Sequence, residues 1–254
     1  LNPFYSTSQV VQVLGSIIVY DKLKQSDKPI YDKVEEYLWC FFLEKRLSDF
    51  YTYNGHQIVA TDYISANDIE WYRKLDLIEA TIVGFRKVKK EYCDYFVHSI
   101  NFQFKRLNFA YRIIDDKIVE ITSEEEIASI QQALDVSQNS VKTHLQAALE
   151  LLSTKPTGDY RNSIKESISA VEAITREITG ENSINFKKME EAGVFVPIVL
   201  RDSFLKLYGY TNDKTTGIRH ALMEDTNAPT ADEAIFMLVS CSAFINYLTK
   251  KINQ

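Results

Sequence analysis

The chain has 254 residues, 45% of them hydrophobic, which is enough for one large domain or two small ones. Only 8 Gly and 5 Pro leave little room for long disordered stretches or a sheet with many turns. A formal net charge of −6 and a pI near 5.4 exclude a strong overall pull toward nucleic acid or anionic lipid, so any RNA contact must use a local patch.

Residues 1–27 are the least legible. Ser6, Thr7 and Ser8 can cap a short helix through Val10, Val11, Val13 and Leu14, and a strand over Ser16–Tyr20 reads almost as well. The Val10–Tyr20 run is interrupted by Gln12, Gly15 and Ser16 and is too short to span a bilayer; no other run reaches transmembrane length. Tyr31, Val34, Leu38, Phe41 and Phe42 recur at helical spacing, continue to Leu47 and Phe50, and predict an amphipathic helix over Tyr31–Tyr51, closed by an Asn54-Gly55 turn. Further helices are expected over Ala66–Phe85 and Tyr92–Phe109. Tyr111–Ile121 holds two short β-prone runs around Asp115-Asp116. It predicts a hairpin that must pack on helices, because a lone hairpin is marginal in water.

Ser123 and Glu126 have capping-box spacing and open a helix to about Leu134; another follows over Ser137–Ser153 and stops at Pro156 and Gly158. Asp159 is a cap for a helix to Thr179 whose buried face is Ile164, Ile168, Val171, Ile174 and Ile178, with Gly180 as its stop. A short helix, a break near Gly193–Pro197, and a helix to Tyr208 come next. The last helix runs over Ala231–Lys251, where Ser240–Ala243 is small-sided and admits a close neighbour. The expected architecture is mainly α, with a helical part and hairpin over residues 1–122 and a helical bundle over residues 123–254. Cys40, Cys93 and Cys241 lie within apolar helical patterns with no pairing rhythm, as expected of reduced thiols in a cytoplasmic protein.

The stretch with chemistry in it is Gly217-Ile218-Arg219-His220-Ala221-Leu222. If Ile218 and Leu222 face the core of a helix, His220 points roughly 200° away from Ile218. An imidazole titrates near neutral pH, and a guanidinium holds phosphate and stabilises charge growing on it. The pair suits metal-independent phosphodiester cleavage, with the RNA 2′-OH as nucleophile, His220 as acid or base and Arg219 on the phosphoryl oxygens. Equally, Arg219 and His220 can be surface residues that pair locally. Arg161, Lys165, Ser169 and Glu172 lie along one edge of the Asp159 helix and can line the same groove, Glu172 orienting a histidine or arginine; a plain surface charge ladder has the same spacing. Lys87-Val88-Lys89-Lys90 can touch phosphate or be a solvated helix end. His56, His98 and His144 have no metal-ligand spacing, and no metal or cofactor is expected.

Asp159–Glu172, Leu207–Tyr210, Gly217–Ala221 and Phe236–Tyr247 resemble a bacterial HEPN domain of the AbiJ N-terminal type. Tyr31–Trp39 and Tyr111–Ile121 resemble the same family's first helical part and hairpin, more loosely. The resemblance implies a helical bundle that dimerises, and, in many members, a metal-independent endoribonuclease of phage defence (abortive infection) or toxin–antitoxin systems. Its active site is built on an arginine a few residues ahead of a histidine. Here Arg219 adjoins His220, and Lys214 stands at an interval where the motif carries arginine. The expected catalytic set is His220, Arg219 and Glu172, with Lys214, Arg161, Lys165 and Asn162 as substrate-binding residues. Expected partners are RNA, tRNA included, a second copy of the chain, and an antitoxin or defence-system protein, with no membrane. The alternative is a non-catalytic HEPN module for dimerisation and for binding RNA, nucleotide or protein.

Overall fold

The computed structural model describes residues 28–50, 59–66, 68–107, 109–121, 123–213, 218 and 228–253. The expectations for residues 1–27 and for the Asn54-Gly55 turn lie outside them. The fold is mainly α, with eleven α-helices and a two-stranded hairpin among the described residues. The chain divides into two compact units, Leu1–Glu120 and Ile121–Gln254.

Unit 1 begins with α1, Lys28–Tyr37, which buries Tyr31 and Val34 at helical spacing. The single helix expected over Tyr31–Tyr51 is broken. Leu38–Phe42 is a π-turn in which the Leu43 amide donates to the Leu38 carbonyl, five residues back. Each residue then turns through a smaller angle than in an α-helix, so Leu38 and Trp39 stay in the core while Phe41 swings out to 70% exposure. Glu44 follows at φ 54°, and the chain restarts as α2, Leu47–Phe50.

A short helix that the apolar pattern did not disclose, α3 (Val59–Ser65), is held at both ends by buried charged side chains. At its start, Glu35 of α1 accepts the Val59 and Ala60 amides at 2.5 and 3.3 Å, and the Tyr31 hydroxyl at 2.9 Å. Beyond its end, the fully buried Lys74 donates through Nζ to the Ala66 carbonyl at 2.8 Å. An anion at the first amides and a cation at the last carbonyls both oppose the helix dipole.

The long helices are α4 (Trp71–Val88) and α5 (Lys90–Arg106), with Leu75, Ile78, Ile82, Phe85, Cys93, Phe96, Ile100 and Phe104 in the core between them and their neighbours. Gly84 is in mid-helix at a cost of about 0.5–1 kcal/mol relative to alanine. The reason is space: a Cβ there would sit 3.1 Å from Tyr37 Cδ1 and 3.2 Å from Val34 Cγ1.

The hairpin is β1 (Arg112–Ile114) and β2 (Lys117–Val119), antiparallel, with Ile113 opposite Ile118. Asp115 and Asp116 both have positive φ, 45° and 66°, as a two-residue type I′ turn requires. Side chains from the helices satisfy its outer edges. Asn101 of α5 donates to the Ile113 carbonyl at 2.9 Å and accepts the Ile113 amide at 2.7 Å; Glu79 of α4 accepts the Ile118 amide at 2.8 Å. Arg86 closes on Asp116 through two parallel bonds of 2.5 Å. These bonds, with Ile113 and Ile118 in the core, supply what a free hairpin lacks.

Unit 2 is a bundle of α6 (Glu124–Val136), α7 (Asn139–Ser153), α8 (Tyr160–Thr179) and α11 (Ala231–Ile252), with α9 (Phe186–Glu191) and α10 (Ile198–Asn212) packed on α8. The apolar stripes read from the sequence are its core. Val141, Leu145, Leu149, Ile164, Ile168, Val171, Leu238, Cys241, Ile245 and Leu248 are buried, each large side chain contributing about 1.5–3 kcal/mol; Ile178 is only half-buried and Ile252 is exposed. Serine keeps α8 close to α7: the Ser163 hydroxyl donates to the Ala148 carbonyl at 2.8 Å. Asn246 of α11 donates to the Ser129 carbonyl of α6 at 2.9 Å.

Caps divide the helices as polar residues dictate. Asp159 accepts the Asn162 amide, and Gly180 ends α8 at φ 75°. Ser123 accepts the Glu126 amide, but its hydroxyl donates to Glu125, so only half of the expected capping box forms there. The complete box belongs to Thr230 and Glu233 at the start of α11. The expectation that no run reaches transmembrane length needs correction. By length and composition α11 does, with mean hydropathy 1.3 over its most apolar window, but half of that window is buried in the protein. The cause is its place in the bundle, with apolar positions facing α6, α7 and α8.

All three cysteines are free. Burial pushes the Cys93 thiol up from its ordinary value and the Cys241 thiol well up, which keeps them protonated and unreactive.

Candidate functional site

Arg219, His220, Lys214 and Gly217 lie outside the described residues; Ile218, in the middle of the same stretch, is 2% exposed. Its burial agrees with the inward direction read for it. What reaches it is Arg161, in the first turn of α8, whose Nε donates to the Ile218 carbonyl at 3.4 Å. The start of α8 is fixed in turn by Asp159, which accepts the Asn162 amide at 3.2 Å and the Asn162 side-chain amide at 2.7 Å. Asn162 thus serves the cap. Lys165 is exposed one turn further along, and its carbonyl accepts the Ser169 hydroxyl at 2.9 Å.

Glu172 shares the edge of α8 with Arg161, eleven residues or roughly 16 Å along the axis. Its Oε1 accepts the Tyr208 hydroxyl of α10 at 2.9 Å. The structure therefore brings Arg161 to the Ile218 carbonyl and Glu172 to α10. Between them on α8 is a pair the sequence did not disclose: His144 Nδ1 of α7 is 2.7 Å from Glu166 Oε2. The two residues are far apart in the chain, and only the α7–α8 packing joins them.

Unit 2 also carries an open apolar groove of about 310 Å³ between α10 and α11, walled by Leu200, Phe204, Leu207, Ala243, Phe244 and Tyr247. Phe204 stacks on Phe244 with centroids 4.0 Å apart. Only Phe204 and Thr211 of α10 are buried, while Ile198, Val199, Leu200 and Leu205 are exposed. The small-sided run on α11 is split: Cys241 and Ser242 face the core, and Ser240 and Ala243 line the groove. In unit 1, the Lys87–Lys90 tract spans the end of α4 and the start of α5, with Lys89 Nζ 4.7 Å from the Tyr92 ring centre. Among the described residues, no three His, Cys, Asp or Glu side chains gather as a metal ion would require.

A family model described as AbiJ N-terminal domain 4 matches residues 8–136. No curated protein and no solved structure matches the chain. The matched region takes in the hairpin of unit 1 and ends with α6. It includes Tyr31–Trp39 and Tyr111–Ile121, the stretches whose resemblance was the looser, and stops short of Asp159–Glu172 and Gly217–Ala221, whose resemblance was the more specific.

Proposed function

The chain belongs to the AbiJ N-terminal domain 4 family, whose name ties it to abortive infection, and we propose that within such a cytoplasmic defence or toxin–antitoxin system it is a metal-independent endoribonuclease with an HEPN-like second half. The 2′ oxygen of a ribose attacks the adjacent phosphorus and the 5′ oxygen leaves, giving a 2′,3′-cyclic phosphate and a 5′-hydroxyl end. His220 moves the proton in one of these two events. Arg219 and Lys214 supply positive charge to the phosphoryl oxygens, Arg219 as a fork and Lys214 as a point charge.

The observation that carries this reading is the Arg161 bond to the Ile218 carbonyl. It anchors the chain two residues ahead of His220 to the capped start of α8, and a catalytic group needs a rigid support. Lys165 and Asn162 flank Arg161 on the exposed side of α8 and give a strand further polar contacts. Glu172 acts through Tyr208 as a positioning residue rather than by touching RNA. RNA, tRNA included, incubated with purified protein in EDTA is expected to yield fragments with cyclic phosphate ends. A requirement for Mg²⁺, or fragments ending in 3′-hydroxyls, would refute the chemistry.

A second reading is favoured by the groove between α10 and α11: a non-catalytic HEPN module that dimerises or binds RNA, nucleotide or a protein such as an antitoxin. An apolar helix with only two buried residues suits a covered face. Both readings include a homodimer, and a monomeric mass by light scattering across micromolar concentrations would remove it.

A further inference from the structure

A cluster wholly within unit 1 has the construction of a ligand site. Phe41, turned outward by the π-turn, is 70% exposed. One face of its ring rests on Tyr37, with centroids 5.0 Å apart and planes 27° apart, so the exposure belongs to the other face and edges. Tyr37 is seated against Gly84, where a Cβ would lie 3.1 Å from its Cδ1. Lys87, one turn beyond Gly84, sets its ammonium 4.7 Å from the Tyr37 centroid and 5.5 Å from that of Phe41. No carboxylate among the described residues pairs with Lys87. Lys33 is exposed one turn before Tyr37, and Lys89 and Lys90 follow Lys87. Carboxylates are as frequent nearby in sequence, at Asp32, Glu35, Glu36, Glu44 and Glu91, so the positive charge at the rings is that of Lys87 itself.

An exposed phenylalanine alone needs no explanation. Here a mid-helix glycine, a π-turn and an unneutralised lysine together hold one aromatic face open beside positive charge. An unpaired nucleobase offers the complementary shape, a flat ring joined to a phosphate, and base–aromatic stacking with a nearby cation is how single strands are held without sequence preference. We propose that Phe41, backed by Tyr37, is a stacking platform for an unpaired base of single-stranded RNA, with Lys87 meeting the adjoining phosphate. A base already paired in a duplex cannot reach the ring. The proposal takes its ligand class from the RNA-directed function above, but not the cleavage chemistry.

The test is fluorescence anisotropy of an end-labelled, unstructured RNA of about ten nucleotides, within the usual site size, on the full chain carrying His220→Ala, in EDTA. Adding Phe41→Ala is expected to weaken binding about 5- to 100-fold, the size of one lost stack, with an unchanged circular dichroism spectrum because the ring is exposed. Phe41→Trp restores binding, and Lys87→Gln lowers the slope of log affinity against log salt by about 0.7, one phosphate contact on a single strand. The platform is overturned if the parent does not bind the strand, if Phe41→Ala binds as well as the parent, if Phe41→Trp is no better than alanine, or if a duplex of the same sequence or a mononucleotide binds as tightly. Loss of self-association in Phe41→Ala, with RNA affinity unchanged, would mark the face as a protein contact and overturn it too. Cleavage by wild type with no effect of Phe41→Ala leaves the nuclease standing without the platform; Phe41-dependent binding without cleavage does the reverse.

Discussion

Removing the Glu35 side chain is expected to be among the most damaging single substitutions in unit 1. Glu35 is 2% exposed and accepts three hydrogen bonds, from the Val59 and Ala60 amides and the Tyr31 hydroxyl. Both amides belong to residues that are 4% exposed, so Glu35→Ala strands them without water. Each stranded donor costs about 1–3 kcal/mol, and the total expected is about 3–5 kcal/mol after partial relaxation. That is a large share of the ~5–15 kcal/mol that stabilises a typical domain. The assay is favourable because the chain's 2 tryptophans, Trp39 and Trp71, both lie in unit 1. Tryptophan fluorescence in urea therefore follows this unit alone. At a slope of about 1.5–2 kcal/mol per molar urea, the midpoint should fall by roughly 1.5–3 M. A fall of less than about 0.5 M would refute the claim that Glu35 holds α3 in place.

Other outcomes follow from the same contacts. Lys74→Met should stay within about 1 kcal/mol of wild type by the same fluorescence assay, because losing one bond to Ala66 is offset by no longer burying an ammonium; a loss as large as that of Glu35→Ala would show that the charge itself is required. Asn101→Ala leaves the Ile113 amide and carbonyl unpaired and should cost about 2–3 kcal/mol, with Asn101→Asp no better because it turns a carboxylate toward that carbonyl. The Thr230 hydroxyl and amide hold the Glu233 carboxyl below its ordinary range, so its contribution to the start of α11 is present above that range and lost as pH falls through it. Thermal melts should therefore show wild type and Glu233→Gln converging as pH drops below about 4, the usual carboxylate range; a gap that persists at low pH would contradict this.

The bundle of unit 2 was legible because its signals are local. Ile164, Ile168, Val171 and Ile174 repeat at one helix's period, and Asp159 and Gly180 mark its ends within the same stretch. The hairpin was legible for a similar reason, since Asp115-Asp116 suits positive φ on both sides of β-prone runs. Unit 1 was harder to read because its decisive contacts join distant residues. Glu35, between Val34 and Glu36, looks like any solvated helix position until Val59 and Ala60 arrive 24 and 25 residues later. The π-turn leaves the composition of Tyr31–Phe42 unchanged and alters only the angle, so Phe41 was placed in the core stripe and found outside it. At the candidate site, the grouping of Arg161 with the 217–222 stretch has a counterpart in its bond to Ile218, whereas Glu172 turned toward Tyr208 because α10 packs against that part of α8. The His144–Glu166 pair had no sequence signal, since it depends on how two helices face each other.

The most direct measurement of the proposed function is a time course of tRNA and total RNA cleavage in EDTA by wild type and His220→Ala, prepared identically and shown to share one circular dichroism spectrum. Cleavage by wild type is expected, with a loss of about 100-fold or more in the variant, the contribution of a general acid or base. Equal cleavage by the two, or none by wild type, would contradict the proposed function.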